Sequence, residues 1–296
     1  MSAADAHVLA AYGRQFWIRD TAGQEWSAVT RGRHADVVTG DQVAWQALGS
    51  GQAVIEQVRP RRNLLRRSDL HRTKALAANL DQAAIVVSGE PPFSEELLLR
   101  VLIAAEREGI ACMLIATKAD LPQSMERIDA RLKLYETLGY PVIRVAAKAD
   151  PQGTASILQN QLTGRSTLLL GQSGMGKSTL VNLLVPGAEL RTQEISSALQ
   201  TGRHTTTFTR AFELPAGGWL IDSPGFQVFG LAHLSVSEIE HGLREFVPLL
   251  GHCRYHNCGH RHEPHCAIRS AVQAGQIDSR RHALYVQLRD EAEAIQ

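Results

Sequence analysis

Hydrophobic and polar positions alternate differently in three stretches of the chain. Between residues 8 and about 58 the period is two: Phe16 and Ile18, Trp26 and Ala28, and Val43 and Trp45 mark one face of short segments. The segments run 15–20, 25–31, 41–47 and 53–58, with 8–12 as a weaker first, and Gly13, Ala22-Gly23 and Gly40-Asp41 supply the turns between them. Five such strands predict a small all-β barrel; the OB-like arrangement leads, and an SH3-like barrel shares the same pattern. From about 80 to 230, apolar runs at 83–88, 111–117, 142–146, 167–170 and 219–222 alternate with helical patterns at 95–108 and 125–138. Leu98, Leu102 and Ala105 share one face of the first helix. Alternation of this kind predicts a parallel α/β sheet with helices on both sides. Beyond about 231 the pattern is mostly helical. Ser235 or Ser237 caps a helix with Ile239, Leu243 and Phe246 on one face, and Leu284, Leu288 and Ile295 space out a terminal helix. The expected organisation is multidomain: a barrel over 1–65, an α/β domain over 66–230 and a helical domain over 231–296.

Composition changes this picture little. The chain has 296 residues, 44% hydrophobic and 21% charged, with a net charge of +1, which is ordinary for a globular protein and excludes whole-molecule attraction to nucleic acid. No apolar run reaches the ~18 residues of a membrane span. The first residues lack the basic and apolar regions of a secretory signal, so a cytoplasmic protein with no membrane contact is expected. One local exception is the run Arg59, Arg61, Arg62, Arg66, Arg67, Arg72 and Lys74, set against Asp69 alone. It reads either as a solvated linker or as a contact to a phosphate backbone beside an oligonucleotide-binding barrel.

The chemistry begins at Gly171-Gln172-Ser173-Gly174-Met175-Gly176-Lys177-Ser178, a complete G-x-x-x-x-G-K-S between an apolar strand and a helix that includes Thr179. Glycines let backbone N–H groups converge on phosphate oxygens, and the helix N-terminus adds favourable charge. Lys177 is expected on the β- and γ-phosphates and Ser178 on Mg²⁺. Downstream, Asp222-Ser223-Pro224-Gly225 ends an apolar strand, supplying an acid near Mg²⁺ and a Gly225 N–H for the γ-phosphate. Between them, Gly202-Arg203-His204-Thr205-Thr206-Thr207 offers a switch threonine to Mg²⁺, Thr206 before Thr205.

Two further motifs resemble those that hold guanine in GTPases: Thr117-Lys118-Ala119-Asp120 and Ala146-Ala147-Lys148, each at a strand end. Asp120 can accept from guanine N1–H and N2–H₂, a donor pair adenine lacks. Lys118 can lie over the purine, and a backbone N–H near Ala147 can meet O6. Thr117 replaces the usual Asn, which removes an amide donor and predicts a weaker hold on the base. Both motifs precede the phosphate loop, so the GTPase order is circularly permuted, a change that exposed loops tolerate. The segment after Gly225 then leads into the C-terminal part, where switch movement is expected to be felt.

Four cysteines are present, and Cys253, Cys258 and Cys266 lie close together with His260. Three thiolates and an imidazole fit a closed structural Zn²⁺ site. His252, His256, His262 and His265 compete for the imidazole position, and Cys112 reads as core. A small barrel, a permuted GTPase and this Cys/His site together resemble the RsgA (YjeQ) family over nearly the whole chain. The resemblance implies a ribosome-stimulated GTPase of late small-subunit maturation, converting GTP to GDP and phosphate and contacting 16S rRNA or ribosomal proteins; a monomer is expected. Phe226 occupies the place where many GTPases carry a water-orienting glutamine. Slow intrinsic hydrolysis follows, with His204 as the candidate replacement brought to the water on the ribosomal subunit. A P-loop small-molecule kinase leaves the base motifs and switch threonines unexplained. A nucleotide-regulated RNA-binding protein with negligible catalysis is compatible with Phe226.

Overall fold

The period-two residues of the first stretch all face one interior. In the computed structural model, which describes residues 4–31, 36–68, 72–188 and 209–295, they lie on β1 (Ala4–Tyr12), β2 (Gln15–Asp20), β3 (Glu25–Thr30), β4 (Gln42–Gly49) and β5 (Gln52–Val58). β1 pairs with both β2 and β4, and β3 pairs with β5 in parallel, which closes the order 1-2-3-5-4-1. A parallel β3–β5 pair cannot arise in a simple meander, and it selects the Greek-key OB arrangement over the SH3-like one. Val8, Phe16, Ile18, Ala28, Val43 and Ile55 are buried, with Trp26 partly buried against Trp45 at 5.0 Å.

The basic run is not a linker. Leu64–Ser68 (β6) and Thr73–Ala78 (β7) form an antiparallel two-stranded sheet, held down by buried Leu64, Leu65, Leu76, Ala77 and Ala78. Cations interleaved with the apolar residues hid the hairpin from a pattern search. Three of the arginines are tied into ion pairs: Arg59 with Asp5 at 2.8 Å, Arg61 with buried Asp41 at 2.7 Å, and Arg62 with Asp81 at 2.8 Å.

The central sheet is built from β8 (Gln82–Val87), β9 (Ala111–Ala116), β10 (Val142–Arg144), β11 (Ser166–Leu170), β12 (Arg210–Glu213) and β13 (Trp219–Asp222). Helices α1 (Glu95–Arg107), α2 (Pro122–Thr137), α3 (Pro151–Leu162) and α4 (Lys177–Leu184) connect the strands. Its order is β10-β9-β8-β11-β13-β12, parallel except for β12. β12 has too few residues to show a period in the sequence, yet it joins the domains: Arg210 pairs with Ala10, making barrel and central sheet one 11-stranded sheet. Thr39 Oγ1 donates to Thr209 O at 2.9 Å, His7 stacks on Trp219 with centroids 4.2 Å apart, and Arg19 pairs with Glu213.

The C-terminal part holds α5 (Val236–His241), a 3₁₀ turn (Val247–Leu249), α6 (Ala267–Gln273) and α7 (Ser279–Glu293). Ser235 caps α5 in a capping box with Glu238. The helix ends earlier than its apolar spacing predicts: Leu243 and Phe246 lie beyond it yet remain fully buried. On α7 the inward residues are Tyr285, Leu288 and Ala292, whereas Leu284 is only partly covered and Ile295 is 41% exposed beyond the helix end. Of these helices α5 packs on α1 and α7 packs on α5; a Cβ added at Gly242, the C-cap of α5, would lie 2.8 Å from Ile103 Cγ2. Arg107–Glu238, Arg244–Glu106 and Arg100–Glu291, each at 2.7 Å, flank that contact. Among the described residues no helix is long and apolar enough to cross a membrane.

Candidate functional site

The carboxyl ends of β9, β11 and β13 converge, and each carries a motif. At the end of β11 the chain turns through Gly171–Gly176 into α4. Gly176 caps that helix with φ +95°, a conformation open to glycine and strained for other residues. Lys177 is buried, and its Nζ donates to Gly171 O at 2.7 Å and Gln172 O at 2.9 Å. Burial holds its ammonium below the usual lysine range, against the pull of Asp222. Asp222 closes β13, and burial pushes its carboxyl up to about 6 although Lys177 draws it down. A dication beside it reverses that trend. Ser178 and Ser173 are exposed at the mouth of the loop, with Thr179 half-buried behind.

Gly225 lies directly on the phosphate loop: a Cβ there would be 3.2 Å from both Lys177 Nζ and Ser173 N. A Cβ at this position is tighter than ordinary contact, so Lys177 Nζ and the loop backbone at Ser173 must each give by a few tenths of an ångström. Phe226 is buried beside them. Its ring is 7% exposed, meets Phe229 at 5.5 Å, and borders an apolar crevice of about 10 Å³ with Val86, Phe93, Leu97 and Gln172. That is room for about one water molecule, with little polar lining to hold it.

The two base motifs meet the phosphate loop. Thr117, 3% exposed, donates its hydroxyl to Met175 O at 2.7 Å. Lys118 adopts φ +59° and donates to Gly174 O at 3.1 Å and to Glu90 O. Asp120 is exposed at the rim, and Ala119 N donates to Val145 O at 3.1 Å, bringing the strand end before Ala147 alongside. Ala147 itself is half-buried. The spacing of the motif did not reveal Glu90 or Ser94. Ser94 N donates to Gln172 Oε1 at 2.7 Å, so the start of α1 is tied to the phosphate loop, a link with no local signal in the chain. Arg203, His204, Thr205 and Thr206 lie outside the described residues.

The Cys/His motif is likewise assembled. Donor atoms of Cys253, Cys258, His260 and Cys266 lie within 4.8 Å of one another. His260 presents Nδ1, 3.4 Å from Cys266 Sγ and 3.5 Å from Cys253 Sγ. Burial, with the neighbouring thiols, pushes the Cys258 thiol up. This donor set, in tetrahedral reach, fits zinc. The competing histidines 252, 256, 262 and 265 are not in the cluster. His260 Nε2 faces the Glu240 carboxylate at 3.8 Å, which also accepts from Tyr285 at 2.7 Å and Arg289 at 2.8 Å. The carboxylate lies behind the ring beyond hydrogen-bond distance, and nothing in the sequence marked Glu240 for this place.

A phosphate loop, an acid at the neighbouring strand end and base motifs that precede both in the chain define a circularly permuted P-loop GTPase. Residues 58–232 match the RsgA GTPase family. Two curated relatives, each named small ribosomal subunit biogenesis GTPase RsgA, are 50% identical. That of Paraburkholderia xenovorans covers 97% of this chain and 93% of its own, and that of Burkholderia pseudomallei covers 99% and 93%. Among solved structures, YjeQ from Thermotoga maritima superposes with a TM-score of 0.76 at 26% identity over 98% of both chains. YloQ, described as a circularly permuted GTPase, shares the fold with a TM-score of 0.72 at 23% identity, over 99% of this chain and 96% of its own. The chain belongs to the RsgA GTPase family.

Proposed function

We propose that this protein hydrolyses GTP to GDP and phosphate in the biogenesis of the small ribosomal subunit, acting as a cytoplasmic monomer. The observation that carries the reading is the joining of Thr117-Lys118-Ala119-Asp120 to the phosphate loop, within a chain half identical to named small-subunit biogenesis GTPases. Gly171 to Thr179 cradle the phosphates, Lys177 leaves its two loop carbonyls for the β- and γ-phosphates, and Gly225 N–H meets the γ-phosphate. Ser178 and Thr206 ligate Mg²⁺, with Asp222 beside it. Asp120 and the backbone near Ala147 read the base. Cys253, Cys258, His260 and Cys266 hold one structural zinc ion, whose chemistry is to cross-link the loop. The barrel and the exposed cations Arg66 and Lys74 on the β6–β7 hairpin support a phosphate-rich partner such as 16S rRNA. Reduced thiolates suit the cytoplasm. The exposed large apolar side chains of the described residues each come from a different element or loop, which favours a monomer.

Because Phe226 is packed into its crevice, no side chain at that position orients water. Hydrolysis by the isolated chain is therefore slow, and His204 supplies the orienting group once the subunit orders its loop. Phosphate release from GTP and from ATP, each with and without purified small subunits, tests the reading. Slow GTP-specific turnover that rises steeply with subunits is expected, and His204→Ala removes the stimulated part. Equal use of ATP, or indifference to subunits, overturns it.

A further inference from the structure

We propose that Thr117 is a positioning residue of the phosphate loop, not a reader of the base, and that the site holds guanine without a side-chain contact to purine N7. The proposal rests on the guanine-nucleotide reading of the site. A threonine hydroxyl has one proton to donate. Here that proton goes to the Met175 carbonyl at 2.7 Å, from a side chain 3% exposed, and among the described residues the one other acceptor near the oxygen is Val87 O at 3.3 Å. Guanine N7 and O6 are acceptors only, so the hydroxyl has nothing left to offer them. An asparagine carries two amide hydrogens, enough for a loop carbonyl and a base acceptor together. Threonine keeps the first bond and forgoes the second.

The surroundings agree. A Cβ added at Gly176 would lie 3.6 Å from both Thr117 Cγ2 and Oγ1, so Thr117 packs beneath the turn that opens α4. The next residue repeats the bond, with Lys118 Nζ donating to Gly174 O at 3.1 Å. Two successive residues at the end of β9 thus hold two successive carbonyls of the phosphate loop. That fixes the orientation of the peptide planes whose N–H groups face the phosphates. Asp120, exposed beside them, is left as the base reader, and its carboxylate matches the N1–H and N2–H₂ donors of guanine. Affinity for any nucleotide then depends on the Thr117 hydroxyl, and the choice of guanine depends on Asp120.

Calorimetric titration of the full chain with GDP and with 7-deaza-GDP, in which C–H replaces N7, tests this directly. The two ligands are expected to bind within about twofold of each other. Thr117→Val weakens both equally, by about threefold to tenfold, the worth of one hydrogen bond, and Thr117→Ser restores them. A preference for GDP over 7-deaza-GDP above tenfold in the unaltered chain overturns the proposal, whether or not the variants fold. So does a Thr117→Val protein that binds GDP as well as the unaltered one. Failure of the unaltered chain to bind GDP at all is a different result, and it sinks the guanine reading itself.

Discussion

The barrel and the zinc module are both attached to the GTPase sheet, but they are stabilised in opposite ways. The barrel has a hydrophobic core of its own, from Ala6 and Val8 through Phe16, Ile18 and Ile55, and it touches the sheet through β12, through Leu9, which joins the central core, with Trp17 packed against it, and through a few polar and stacking contacts. The zinc module has no separate core. Its buried Leu243, Phe246, Ile268, Tyr285 and Leu288 belong to the same cluster as Leu102 and Ile103 of α1. Arg100, Arg244 and Arg107 then tie it to glutamates on both sides of that contact. A closed barrel pairs its own strand edges and fills its own interior. Three helices, two of them only 6 and 7 residues long, do neither; they lean on a neighbour, and their Cys/His cluster fits a metal. This also changes the expected route from switch to zinc module. The segment after Gly225 does lead there, but the module is clamped to α1, whose first residues are tied to the phosphate loop through Ser94 and Gln172.

Metal removal breaks the comparison most sharply. Structural zinc in small domains is worth about 10 kcal/mol or more, so chelation is expected to strip amide protection from α5 to α7 while the barrel strands keep theirs. Hydrogen exchange resolved by segment reads both regions in one experiment. Equal loss in the barrel shows that the two are not independent.

Smaller, and confined to the module's seat on the GTPase domain, is the effect of Arg281→Ala. Arg281 and Glu245 form a buried pair with side chains 3% and 6% exposed, and the Arg281 guanidinium lies 5.4 Å from the Tyr135 ring centroid. Deleting the cation strands a buried carboxylate, at about 3–5 kcal/mol. Denaturant unfolding followed by a probe on α7 is expected to show the full loss, with the barrel transition unmoved.

The smallest effect sharpens the barrel's side. Burial, with Arg19 nearby, lowers the His7 pKa from 6.5 to about 4. The sign is fixed by the unfolded chain, which binds this proton at 6.5 while the folded one refuses it until about 4. Stability is therefore complete above that upper value and declines as pH falls through the interval. His7→Gln removes that part of the slope. A pH series of barrel–sheet exchange rates that is unchanged by the substitution counts against the assignment.

Much of this was legible in the chain because it is local. Phe16, Ile18, Val43 and Trp45 announce strands by period, since a strand must turn alternate residues to one face. The phosphate loop, Asp222-Gly225 and the Cys/His spacing are short runs whose chemistry needs neighbours close in sequence. The β6–β7 hairpin was missed because Arg66, Arg67, Arg72 and Lys74 gave it the texture of a solvated run while its leucines were buried beneath. β12 was missed because four residues carry no period.

By itself, the sequence determined the type of most long elements, though not α3, the motifs of the nucleotide site, their permuted order and the three cysteines of the metal site, all written in short runs of residues. Only the tertiary structure decided what meets across the chain: β3 beside β5, β12 against β1, α5 of the zinc module on α1, and Thr117 bonded to Met175 rather than free for a base. Those pairings depend on which surfaces are buried together, and burial is a property of the folded chain as a whole that no single segment encodes.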